Sequence, residues 1–168
     1  MQIRIRETGT VVFQNEFRTY AQSRGASFGE PLTEEFINQY GGDIVYEGPQ
    51  ATGGTVYQYS QVSGVEQKED GKWYTKYILG PVFTDTLATD IQPAKTAAEN
   101  EAAYKTNRDV EQAKIVRQLR NEKLKDSDWT QVADAPVNKT AWATYRQTLR
   151  DVTTQVGFPW TIVWPDAP

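Results

Sequence analysis

The residues that could do chemistry in this 168-residue chain are few. It contains no His and no Cys, which removes imidazole bases, thiolate nucleophiles, disulfides and the usual zinc ligands together. Carboxylates, Lys, Ser, Thr and Tyr remain, so a glycosidase pair or a Ser–Lys couple would have to be assembled from scattered positions. Glu34 and Glu35 look like such a pair. Neighbours on a helix point about 100° apart, however, and two carboxylates suit the positive start of a helix better than shared acid/base work. Asp126 and Asp128 could touch a cation, but a calcium loop needs several further oxygen ligands at set spacing and none follows. Gly53-Gly54 is a flexible loop, not a phosphate cradle. Asn138-Lys139-Thr140 matches a glycosylation acceptor by chance in a chain read without a secretory signal. No catalytic, cofactor-binding or metal-binding residue is assigned, and the chain is expected not to be an enzyme.

Charge narrows the partners. Eighteen Lys and Arg face twenty-two Asp and Glu, a net charge of -4, the wrong sign for neutralising phosphates. Lys114, Arg117, Arg120, Lys123 and Lys125 do cluster, yet Glu111, Glu122, Asp126 and Asp128 interleave with them, as on a solvated helix face. No apolar run approaches the about 20 residues of a membrane span, and the opening Met1-Gln2-Ile3-Arg4-Ile5-Arg6 lacks a signal peptide's apolar core. A soluble protein made in the cytoplasm is expected, binding neither nucleic acid nor membrane. Hydrophobic residues make up 38%, against about 45–50% on average, so the core is small or shared between subunits. Five Trp, nine Tyr and six Phe argue for a folded chain, and these aromatics are the candidate contact residues.

The elements that position them follow from pattern. Residues 2–6 and 10–14 are β-type runs around Glu7-Thr8-Gly9, which predicts an N-terminal hairpin. Ile3 and Ile5 alternate with Arg4 and Arg6, so the arginines are expected in solvent. After a polar stretch, Thr33 as cap, Glu34 and Glu35 in the first turn and Gly41 or Gly42 as stop predict a short helix. Residues 44–46, 56–59 and 73–79 are β-type, with turns at Gly48-Pro49, Ser63-Gly64 and Asp70-Gly71. Composition changes near residues 84–93, and Ala, Glu, Lys, Gln and Arg then predict one long helix or two in line to about residue 124. Ala113, Val116 and Leu119 or Arg120 form its thin apolar edge. A second helix from Asn138 or Thr140 carries Trp142, Tyr145 and Leu149 at i, i+3 and i+7, a stripe expected to pack on Val116 and Leu119.

The expected fold is therefore α+β: a small N-terminal antiparallel β module with one short helix (1–90), a helical spacer (91–109), and a C-terminal antiparallel helical hairpin (110–168) ending in an extended tail rich in Trp and Pro. Trp160 and Trp164 in that tail either fold back on the helices or anchor in a neighbouring subunit. Tyr57, Tyr59, Trp73 and Tyr77 could instead form a carbohydrate-stacking strip.

The C-terminal blocks Arg117-Gln118-Leu119-Arg120-Asn121, Asp126-Ser127-Asp128-Trp129-Thr130-Gln131, Ala141-Trp142, Tyr145-Arg146, Leu149-Arg150-Asp151, Gly157-Phe158-Pro159-Trp160 and Trp164-Pro165 resemble the phage tail assembly chaperone family over about residues 110–168. Tyr46-Glu47-Gly48-Pro49-Gln50, Gly64-Val65-Glu66 and residues 71–77 look like the front module found with that domain. The resemblance implies a non-enzymatic bacteriophage protein whose partners are other tail, baseplate or fibre proteins. Trp129, Trp142, Tyr145, Trp160, Trp164, Trp73 and Tyr77 are its expected partner-binding residues, and a symmetric homo-oligomer is expected. Between the roles it allows, five Trp favour lasting burial in the virion tail, with a transient assembly chaperone as the alternative and a carbohydrate-binding fibre module as the second.

Overall fold

Alternation in the first strand sets the sheet. β1 (Gln2–Ile5) buries Ile3 and Ile5 and leaves Gln2 and Arg4 on the other face. Gly9, at φ 73°, reverses the chain into β2 (Val11–Phe13). The computed structural model describes residues 1–27, 29 and 31–168, and these divide into two units, Met1–Val82 and Phe83–Pro168. The fold is mixed α+β.

In the N-terminal unit, β1 and β2 join β3 (Gly42–Tyr46), β4 (Tyr59–Gln67) and β5 (Trp73–Gly80) in one sheet of order β2-β1-β3-β5-β4. The sheet is not purely antiparallel, as expected, but mixed. The long connection after β3 carries the chain past the neighbouring position, so the β4–β5 hairpin brings β5 back beside β3 in the same direction, with Val45 opposite Trp73 and Tyr46 opposite Tyr74. β4 also differs from the reading. Val56 and Tyr57 form a turn closed by Gln58 N donating to Thr55 O at 3.0 Å. The strand instead runs through Ser63-Gly64, where Gly64 at φ 83° makes a bulge between Val62 and Val65.

Among the described residues, two helices, not one, cover this sheet. α1 (Gln14–Gln22) fills the stretch read as polar connection: Phe17 and Ala21 lie at i and i+4 and are both fully buried, and the Glu16 carboxylate accepts from Phe13 N at 2.8 Å. α2 (Glu34–Gln39) starts as the sequence indicates, with Thr33 Oγ1 accepting from Phe36 N at 3.2 Å. Ile3, Ile5, Phe17, Ala21, Phe36 and Ile37 form the core.

The C-terminal unit is built on α3 (Ala97–Asp126), whose start is a capping box: Thr96 Oγ1 accepts from Glu99 N at 3.2 Å and Glu99 accepts from Thr96 N at 2.8 Å. Asp85 accepts from Ala97 N at 2.7 Å, and the Phe83 ring lies 5.4 Å from that of Tyr104. A 3-10 turn at Asp128–Gln131 leads to α4 (Lys139–Asp151), which packs on α3. Asn138 caps α4, its Oδ1 accepting from Ala141 N at 3.1 Å. Ala113 and Val116 are buried on α3, whereas Leu119 is 44% exposed and Arg120, the alternative at that end of the expected stripe, is half-buried. Each i+3 step on a helix slips about 60°, so Leu119 stands two steps around the cylinder from Ala113.

Candidate partner-binding site

Thr130 is fully buried, and its hydroxyl donates to Ser127 O at 2.7 Å. That anchors the 3-10 turn and sends its neighbour Trp129 outward, 52% exposed. The indole is not loose: it lies 6.0 Å from Trp142 in a tilted pair, and Trp142 meets Tyr145 edge-on at 5.5 Å. Lys139 donates to Val132 O at 2.9 Å and Ala133 O at 2.6 Å, tying down the segment that frames Trp129. Beneath, Arg146 donates to Leu124 O at 2.6 Å, Ser127 Oγ at 2.7 Å and Asp128 Oδ1 at 2.7 Å. Arg146 was not among the expected site residues, although it lies at i+4 from Trp142 and i-3 from Leu149, on the same buried helix face. Trp129, Trp142 and Tyr145 thus make a contiguous aromatic cluster with Trp129 at its exposed end.

The other two tryptophans of this unit are half-buried. Trp160 Nε1 donates to Asp109 at 2.6 Å, and the Arg108 guanidinium lies 5.8 Å from its ring. Arg117 sits over Phe158 at 5.3 Å and Lys123 over Trp164 at 5.7 Å. The Gln155 side chain pins Val163 through both backbone groups, at 2.8 and 2.9 Å.

Residues 113–168 match the family model of phage tail assembly chaperone proteins. No curated protein and no solved structure matches the chain. The chaperone-family stretch covers Trp129, Trp142, Tyr145, Trp160 and Trp164, and the role it points to is phage tail assembly.

Trp73 and Tyr77 lie outside the chaperone-family stretch. They share one face of β5, but Tyr59 pairs with Gly80 and so stands on the opposite face, while Tyr57 is in the turn before β4. The four aromatics of the supposed stacking strip are not brought together. Trp73 lies under the Arg4 guanidinium at 3.9 Å, and Arg4 and Arg6 both bond Asp43, at 3.2 and 2.7 Å. Arg4 is therefore a packing residue and not the solvated side chain expected from alternation. The Tyr77 hydroxyl donates to Glu47, which raises its pKa.

Three carboxylates are held by local hydrogen bonds. Hydrogen bonds from its own backbone and from Thr33 hold Glu35 below the usual Glu range, and the Tyr74 hydroxyl and Lys72 backbone do the same for Asp70. The Thr96 backbone and hydroxyl lower Glu99. Each shift favours the ionised form, the reverse of what a general acid requires. Among the described residues, no helix is long and apolar enough to cross a membrane.

Proposed function

We propose that this chain is an assembly factor for bacteriophage tails, which holds a tail, baseplate or fibre subunit through protein–protein contacts and catalyses no reaction. The observation that carries the reading is an exposed Trp129, braced by Trp142 and Tyr145, inside the stretch that matches the tail assembly chaperone family. That match supports the assembly-factor role over the virion component favoured on composition. A client subunit that covers Trp129 buries one large, preorganised side chain, which gives specificity while leaving release possible. The separation of Tyr59 from Trp73 and Tyr77 argues against a sugar-binding strip.

Mass spectrometry of density-purified, salt-washed virions and of the infected lysate tests this. The expected result is an abundant chain in the lysate and none in the virions, with Trp129→Ala reducing the yield of complete tails. Retention in virions in fixed ratio to the tail-tube protein would overturn the assembly-factor reading in favour of a virion component.

A further inference from the structure

α3 has 30 residues and α4 has 13, so much of the longer helix stands clear of its neighbour. On one clear face two i+4 rows of side chains run side by side, Val110, Lys114, Gln118 and Glu122 in the first and Arg117, Asn121 and Lys125 in the second. The furrow between them has a volume of about 520 Å³. A smaller hollow of about 280 Å³ continues it past Val110 and Arg117 to a wall made by Phe158 and Pro159. From Val110 to Lys125 the furrow extends for about 22 Å at 1.5 Å per residue. Its surface is mostly carbon, from Val110, which is 63% exposed, and from the stems of the long side chains.

The charges here are not cancelled in the way that the sequence suggests. Of the carboxylates that interleave with these cations in the chain, Glu111 pairs with Arg108 at 3.3 Å and Asp128 with Arg146 at 2.7 Å, while Glu122 accepts from Gln118 at 3.3 Å. Asp126 ends α3 one residue beyond Lys125, about 100° around the helix. Among the described residues, Lys114, Arg117 and Lys125 have no ion-pair partner. The Arg117 guanidinium rests over the Phe158 ring at 5.3 Å, a contact that leaves its N–H donors free to point elsewhere.

We propose that this furrow is a docking groove for an acidic, amphipathic helix of a partner protein. Shape, surface and charge select that occupant together. A furrow between two i+4 rows is the form that receives the side-chain ridge of another helix. Its carbon floor takes aliphatic side chains, and Lys114, Arg117 and Lys125 take carboxylates at the ridge's margins. A nucleic acid has no aliphatic ridge to lay on Val110, and it would bring its phosphates against Glu122. A second copy is set against itself by the net charge of -4, which favours a different protein. The groove stands apart from the Trp129 contact, because neither Trp129, Trp142 nor Tyr145 lines it, so either can fail without the other.

Fluorescence anisotropy of the full chain with a labelled model helix of about 20 residues, roughly 30 Å long, tests the proposal. The probe carries Leu along one face and Glu along its margins. Saturable binding is expected that weakens several-fold as salt rises and about tenfold or more when Gln replaces Glu in the probe. In the chain, Lys114→Glu with Lys125→Glu lowers affinity about tenfold or more, whereas Lys68→Glu with Lys76→Glu, the same change of net charge on the N-terminal unit, leaves it within about twofold. Val110→Ser weakens binding without altering charge, and Lys114→Gln with Lys125→Gln serves if the double Glu variant fails to fold. No binding, equal binding of the Gln probe, or equal loss in the N-terminal variant would each overturn it. So would tighter binding of duplex DNA to the same lysines, or a dimer of the chain alone, seen by sedimentation, that the double variant abolishes.

Discussion

Arg146 donates to Asp128 Oδ1 at 2.7 Å, joining α4 to the turn that follows α3. The same guanidinium reaches Leu124 O in the last turn of α3 and the hydroxyl of Ser127, adding a charged donor to a helix end whose carbonyls already accept from Ser127 N and Oγ. Its side chain is only 9% exposed, whereas that of Asp128 is 66% exposed. The pair therefore acts by positioning the Trp129 turn more than by its charge.

Replacing Arg146 by Met removes its charged hydrogen bonds to Leu124 O and Ser127 Oγ, although Leu124 O keeps the Ser127 N–H and hydroxyl as donors at 3.3 and 3.0 Å, while the Asp128 carboxylate returns to water. The expected cost is about 1–3 kcal/mol, read as a lower urea midpoint by tryptophan fluorescence. Asp128→Asn keeps an acceptor oxygen and loses less. Equal losses in the two variants would show that the ion pair, and not the helix end, carries the energy.

The cap of α4 gives a second measurement. Asn138→Ala removes the acceptor for Ala141 N and is expected to lower stability by about 1 kcal/mol, with Asn138→Asp restoring most of it. Urea unfolding of the three proteins decides whether this asparagine acts as a cap.

Two glycines differ in what surrounds them. A Cβ on Gly42 would meet Ile37 and Phe17 side-chain atoms at 2.7 Å, and one on Gly48 would meet the backbone oxygen of Thr75 at 2.0 Å. Side chains yield more readily than backbone, so Gly42→Ala is expected to cost about 1–3 kcal/mol and Gly48→Ala more. Thermal unfolding of both should give the lower midpoint for Gly48→Ala.

Acid should loosen the start of α3. The Glu99 pKa lies below its ordinary value of 4.5, chiefly through the Thr96 backbone N–H. A carboxylate depressed in the folded state contributes stability that is present above its unfolded pKa and is lost as pH falls through the folded value. Residual helicity should therefore fall below about pH 4.5, and Glu99→Gln should flatten that part of the titration by circular dichroism. An identical titration in the variant would remove Glu99 from the account.

Much of the local structure was legible in the residues. Thr33 before Glu34 and Glu35 marked α2, Asn138 marked the start of α4, and Ala- and Glu-rich sequence free of Gly and Pro marked α3, because caps and propensities act within one or two turns. The helix α1 was missed because its apolar residues are few, and Phe17 and Ala21 count only once the sheet gives them something to cover.

The sequence by itself determined the absence of His and Cys chemistry, the caps, the aromatic inventory and the C-terminal likeness to a tail assembly family. The tertiary structure decided which aromatics act together. Trp129, Trp142 and Tyr145 come from two elements brought to one place by buried Thr130 and Arg146, while Tyr59 and Tyr77, near in sequence pattern, fall on opposite faces of a register that only pairing sets. It also decided that β3 and β5 run parallel and that β4 ends the sheet. Strand order depends on contacts between distant segments, and local residue preferences carry no record of which strand will lie beside which.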